Sequence, residues 1–236
     1  MKDSYLYLSI MLVSLLIPLV RSFEPRIAYY RSFGSLFAAI ALVGIPFIVW
    51  DSIFTAQGFW GFNERYLTGI RWFHLPLSEW LFFIIIPFVC VFIYRVLQYF
   101  FPRNPFGKYQ KQISNFFIFF SAFLAVSHYD RWYTVLTFGS LFLLLAWHHY
   151  INRTTWLGDF YRTYAVILVP FLVVNGILTG TAIEEEIVWY NSKEMIGKRL
   201  FTIPVEDAFY GMVLILGVLS IYKHLEKKRL QKISTE

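Results

Sequence analysis

Between Glu79 and Arg95 the chain reads "WLFFIIIPFVCVFIY", fifteen residues without a charge. Runs of this kind recur along the sequence, each near the ~20 residues a helix needs to cross the hydrocarbon core. In lipid every backbone donor must be satisfied internally, so a run that spans must be helical. Composition agrees: 58% of the residues are hydrophobic and 15% charged, against about 25% charged in soluble domains. The expected class is an all-α integral membrane protein.

The apolar runs predict seven transmembrane helices, over 4–21, 33–52, 76–99, 112–128, 132–149, 162–181 and 205–223. Residues 5–20 have the length of a signal-peptide core. Arg21, Phe23 and Glu24 stand where a cleavage site needs small residues, so this run is kept as the first span. The net charge of +6 is loop charge rather than a nucleic-acid signal. The 21–32, 95–111 and 150–162 loops and the C-terminal tail carry 14 Lys and Arg; the opposite segments carry 7, Lys2 among them. That bias predicts a cytoplasmic C-terminus and an outer N-terminus, in a bacterial cytoplasmic membrane. The basic tail "YKHLEKKRLQK" reads as a stop-transfer anchor. Cys90 is the only cysteine, so no internal disulfide can form.

The sequence also repeats. "NERYLTGIRWFHLPLSE" (63–79) aligns without a gap on "NSKEMIGKRLFTIPVED" (191–207). Five of the seventeen pairs are identical: Asn63/Asn191, Gly69/Gly197, Arg71/Arg199, Phe73/Phe201 and Pro76/Pro204. Glu79 falls on Asp207, and Ser78 on Glu206. A tryptophan lies just upstream in each copy, Trp60 and Trp189. Further upstream "IPFIVWD" (45–51) matches "VPFLVVN" (169–175), pairing Asp51 with Asn175. The expected organisation is a three-helix repeat over 1–104, a linker helix over 105–130 and a second repeat over 131–236. An offset of four spans makes the copies parallel, related by an axis along the membrane normal.

Alone, Pro-x-acid-acid is a helix start: proline suits the first position and acids suit the dipole. Two copies in register, both leading into apolar helices, point instead to a site in the bundle interior. Glu79, Glu206 and Asp207 are therefore the candidate catalytic acids, with Asp51, Asn175, Asn63 and Asn191 as supporting polar groups. A protonated acid beside a carboxylate is what acid/base chemistry needs. Glu206 and Asp207 are consecutive, ~100° apart around a helix, and need not face one pocket. No Gly-rich phosphate loop, CxxC or HExxH occurs, and His148 and His149 are adjacent on the basic side. No metal and no cofactor is expected, and no nucleic-acid partner. The run Glu184-Glu185-Glu186 has no counterpart in the first copy and reads as solvated loop charge.

The doubled proline-acid motif, the upstream Trp and Asn and the Asp51/Asn175 pair together resemble the membrane-bound, cofactor-independent lycopene cyclase family, in its fused two-subunit form. "IPVED" and "VPFLVVNGILTG" (169–180) carry the likeness, which covers roughly 5–222; "LPLSE" departs, with Ser78 in place of the first acid. The resemblance implies carotenoid biosynthesis: acid/base closure of the linear end group of lycopene through a carbocation, as from lycopene to β-carotene, without net redox change. It implies a carotenoid dissolved in the bilayer as substrate, and leaves a homo-oligomer or other carotenoid enzymes open as partners. Trp50, Trp60, Trp80 and Trp189 are the aromatic candidates for stabilising a cation. A small-solute transporter of three plus one plus three helices, and a carotenoid hydratase-like or carotenoid-binding protein, are the alternatives.

Overall fold

The computed structural model describes residues 3–235, with side chains through residue 232; Lys2 lies outside the described residues. Seven α-helices occupy most of it: α1 Leu6–Arg21, α2 Phe33–Ala56, α3 Leu77–Phe100, α4 Gln110–Ser127, α5 Trp132–Ala146, α6 Leu157–Leu178 and α7 Val205–Thr235. Five helical stretches, those holding α2, α3, α5, α6 and α7, are long and apolar enough to cross a membrane. α1 is apolar with 16 residues, and α4 is not among the five. The protein is all-α and membrane-integral.

Helix ends depart from the apolar runs where polar side chains extend or stop a helix. α6 begins at Leu157 rather than 162, because Asp159 suits its first turn and Arg162 is spent on the Phe101 carbonyl. It ends at Leu178 rather than 181, where Gly180 takes a φ of 105° that stops a helix. α7 runs on past 223, and its basic tail holds an i,i+3 pair of Arg229 with Glu226 at 2.6 Å. The end of α5 unwinds into a π-turn, Trp147–Ile151.

Six short strands, unmarked by the apolar pattern, order the two long loops. β2 (Arg71–Trp72) pairs with β3 (Leu75–Pro76) as a hairpin, and β5 (Arg199–Leu200) pairs with β6 (Ile203–Pro204) likewise. The two hairpins sit at the positions aligned in sequence. Gly69 and Gly197 share a left-handed φ of 80° and 79°, and Phe73 and Phe201 share 49° and 56°. Arg71 and Arg199 each reach back to the carbonyl three residues on, of His74 and Thr202.

β1 (Trp60–Phe62) and β4 (Val188–Tyr190) join the two loops in an antiparallel pair centred on Gly61 and Trp189. Those two residues are themselves equivalent in the aligned repeats, so the pairing is two-fold about its own midpoint. The flanking bonds obey the same symmetry: Asn63 N donates to Ile187 O and Asn191 N to Phe59 O, both at 2.8 Å. Equivalent residues meet face to face at such a midpoint, so one must be small. A Cβ on Gly61 would collide with the Trp189 indole.

The helices follow the same symmetry. α1 lies on α3 and α5 on α7, while α2 packs against α7 and α6 against α3. α4 covers α5 and α6. One apolar core fills the space among α2, α3, α6 and α7, and a second lies beneath the paired loops.

Candidate functional site

Each hairpin delivers its proline to the start of a helix. Leu77 N donates to Ile70 O at 2.9 Å and Val205 N to Lys198 O at 3.0 Å, which ties the first residues of α3 and α7 to their loops. The acids of the motif then fall in the first turn, under the loops and away from water. Glu79, Glu206, Asp207 and Asp51 are all buried.

Burial at this depth demands partners, and the partners are phenols and an indole. Tyr7 of α1 donates to Glu79 Oε2 at 2.5 Å. Tyr133 of α5 donates to Asp207 Oδ1 at 2.7 Å, and Tyr190 of β4 donates to Asp207 Oδ2 at 2.9 Å. Trp60 Nε1 donates to Asp51 Oδ1 at 2.5 Å, while Asp51 Oδ2 is buried with no hydrogen-bond partner among the described residues. Burial first, and the adjoining Asp207 carboxyl second, hold the Tyr190 phenol well above its usual range. It stays protonated and keeps donating.

Asp51, Glu79 and Asp207 line one cavity of about 200 Å³. An engineered apolar cavity of about 150 Å³ accommodates benzene, so a six-membered ring fits here. Tyr7, Trp60, Phe62, Tyr133, Tyr190 and Tyr210 enclose the acidic end. From there the space continues between apolar faces of α3, α6 and α7. Three carboxyls at one end of an aromatic, otherwise apolar cavity can give a proton to a hydrocarbon, take one back and face a cation between.

Glu206 is placed elsewhere. Its Oε1 accepts from Thr134 Oγ1 at 2.8 Å and from the Ile196 backbone N–H at 2.7 Å. It does not line the cavity; it ties α7 to α5 and to its own loop. Its counterpart Ser78 is buried with an unpartnered hydroxyl.

The supporting residues divide in the same way. Asn175 lines the cavity with its counterpart Asp51. Asn63 and Asn191 do not; each accepts from the backbone N–H two residues on, Arg65 and Lys193, at 3.1 Å. They cap the matching 3-10 turns. Of the tryptophans, only Trp60 borders the cavity. Trp60 and Trp189 are not equivalent: the strand pairing sets Trp189 against Gly61 and makes Val188 the counterpart of Trp60. Trp80 donates to the Trp72 carbonyl at 3.2 Å, and Trp50 packs on Phe47, Phe54 and Tyr210.

Tyr7, Tyr133 and Tyr190 bind the acids and were not among the expected site residues. Their signal was present: Tyr7 and Tyr133 hold matching places near the starts of the first helix of each repeat. A phenol near the end of an apolar run otherwise reads as an interfacial anchor.

A family model for lycopene cyclase matches the chain in two segments, residues 4–97 and 130–225. The stretch between them holds α4. No curated protein and no solved structure matches the chain.

Proposed function

Because this chain belongs to the lycopene cyclase family, we propose that its cavity closes the linear end group of lycopene by acid/base chemistry. The observation that carries the reading is the convergence of Asp51, Glu79 and Asp207 on one apolar, aromatic cavity. Glu79 is the proton donor to the terminal double bond. The next double bond attacks the resulting tertiary cation and forms the ring carbon–carbon bond. Asp207, whose two oxygens both accept phenolic hydrogens, removes a proton beside the new cation and creates the ring double bond. One proton enters and one leaves, so substrate and product are isomers and no electrons are exchanged.

Between turnovers, once the product has left, Asp207 gives up its proton to water and Glu79 regains one from water. Asp51, with its unpartnered oxygen in the same cavity, is the relay for this exchange. Trp60 and the ring faces around the acids supply cation–π stabilisation, about 0.5–2 kcal/mol per ring when desolvated. Glu206 is assigned an anchoring part. Exclusion of water keeps the cation from being captured as an alcohol. The basic loops support an orientation with the acids toward the outer face of the membrane.

Expression in a bacterial host that accumulates lycopene tests the reading. Cyclic carotenoid is expected in the membrane. Unchanged lycopene, with the protein present in the membrane, contradicts it, and a hydroxylated acyclic product assigns water capture instead.

A further inference from the structure

The fold is two-fold, but its substrate space is not. On one side α6 faces α3, and between them and α7 the apolar groove runs away from the acids. It is bordered on α3 from Glu79 to Ile93, about 21 Å at 1.5 Å per residue. Its wall residues Phe82, Ile86, Phe171 and Val174 are half-buried, and Pro170 is exposed, so it opens sideways toward lipid. On the other side α2 faces α7 at the equivalent seam, and there the space is filled. Phe47, the counterpart of Phe171, is buried with its ring 5.1 Å from that of Tyr210. Deeper in the seam, a Cβ on Gly217 would lie 3.2 Å from Val43 Cγ1.

One substitution between the copies accounts for much of this. In the aligned "IPFIVWD" and "VPFLVVN", Trp50 stands opposite Val174. Val174 borders the groove. The Trp50 ring packs 5.0 Å from the Tyr210 ring and 5.5 Å from the Phe47 ring, closing the matching seam. Tyr210 itself stands opposite Phe82 of the open groove.

We propose that the α3–α6–α7 groove is the single polyene-binding site of this duplicated protein, and that Trp50 plugs its symmetry mate. This rests on the cyclase reading and adds what that reading leaves open: the substrate is an extended apolar polyene taken from the side. One end group at a time reaches the acids, so the second ring requires release and re-insertion of the molecule.

The test measures polyene bound per chain, by absorbance of protein purified from a lycopene-accumulating host, beside ring formation in the same cells. Wild type is expected to hold one polyene per chain. Val174→Trp should lower bound polyene and ring formation at least tenfold at unchanged gel-filtration behaviour. Val173→Trp, one residue on and 60% exposed, should leave both intact. Adding Trp50→Val to Val174→Trp should restore polyene binding by opening the second seam. If Val174→Trp does not fold, Val174→Phe repeats the test with a smaller ring. Full binding and ring formation by a folded groove variant would overturn the groove. A double variant that stays empty would overturn the plug. Polyene held one to one and lost in Val174→Trp, with no ring formed by wild type, would keep the groove and end the cyclisation reading.

Discussion

The two repeats share a backbone plan and differ in the groups they bring to the cavity. The first offers Glu79 with one phenol, Tyr7, on its carboxyl; the second offers Asp207 with two, Tyr133 and Tyr190. The counterpart of Tyr190 is Phe62, which borders the same cavity and has no hydroxyl to give. Asp51 stands opposite Asn175, and Ser78 opposite Glu206. Glu79 and Asp207 hold aligned positions in the sequence but have unequal surroundings. The proposed reaction needs one proton donor and one acceptor, and two hydrogen-bond donors suit a carboxyl to the acceptor's part.

The comparison breaks most visibly at the acids. Asp207→Asn and Glu79→Gln should each lower ring formation by about 10²–10⁴-fold, the usual worth of a positioned acid or base, at protein levels near wild type. Pigment extracted per unit of membrane protein reads this, and a fully active Glu79→Gln would reduce the site to one half of the molecule. Glu206→Gln should separate from both. Both hydrogen bonds of Glu206 fall on Oε1, and the amide would put an NH₂ where the buried Oε2 lacks a partner among the described residues, so stability should fall by about 1–3 kcal/mol. Ring formation per folded molecule should persist. Thermal unfolding in detergent, set beside pigment yield, distinguishes an anchor from a catalyst.

Tyr190→Phe makes the second half resemble the first. Loss of one hydrogen bond to a charged group, about 1.5–3 kcal/mol, predicts a rate roughly ten- to a hundredfold lower, read from initial rates in membranes. Ser78→Ala should do least. Its hydroxyl is buried without a partner, so removing it should shift stability by well under ~1 kcal/mol and leave the product unchanged.

Much of this is legible in the sequence. The ungapped alignment of 63–79 on 191–207 marks both helix starts and pairs Glu79 with Asp207, because turn residues such as Gly69 and Gly197 answer to backbone geometry alone. The direction of each acid was not legible. Glu206 and Asp207 differ by one position, and only the tertiary partners Thr134, Ile196, Tyr133 and Tyr190 decide which faces the cavity. Trp60 and Trp189 looked equivalent because each precedes its asparagine closely, but register in a strand pair is fixed to the residue. The six strands are not legible in the sequence because each is only two or three residues long and shows no period. Trp50 against Val174 was visible in the alignment. Its meaning as an obstruction needed the packing of α2 on α7.

If a carboxyl of this cavity adds a proton to the polyene as the ring closes, that proton comes from water. Conversion of lycopene by isolated membranes in D₂O, followed by mass spectrometry of the carotenoid, tests it directly. One deuterium gained for each ring formed is expected, so that a monocyclic product is one mass unit heavier and a bicyclic product two. Rings formed without any deuterium would contradict it.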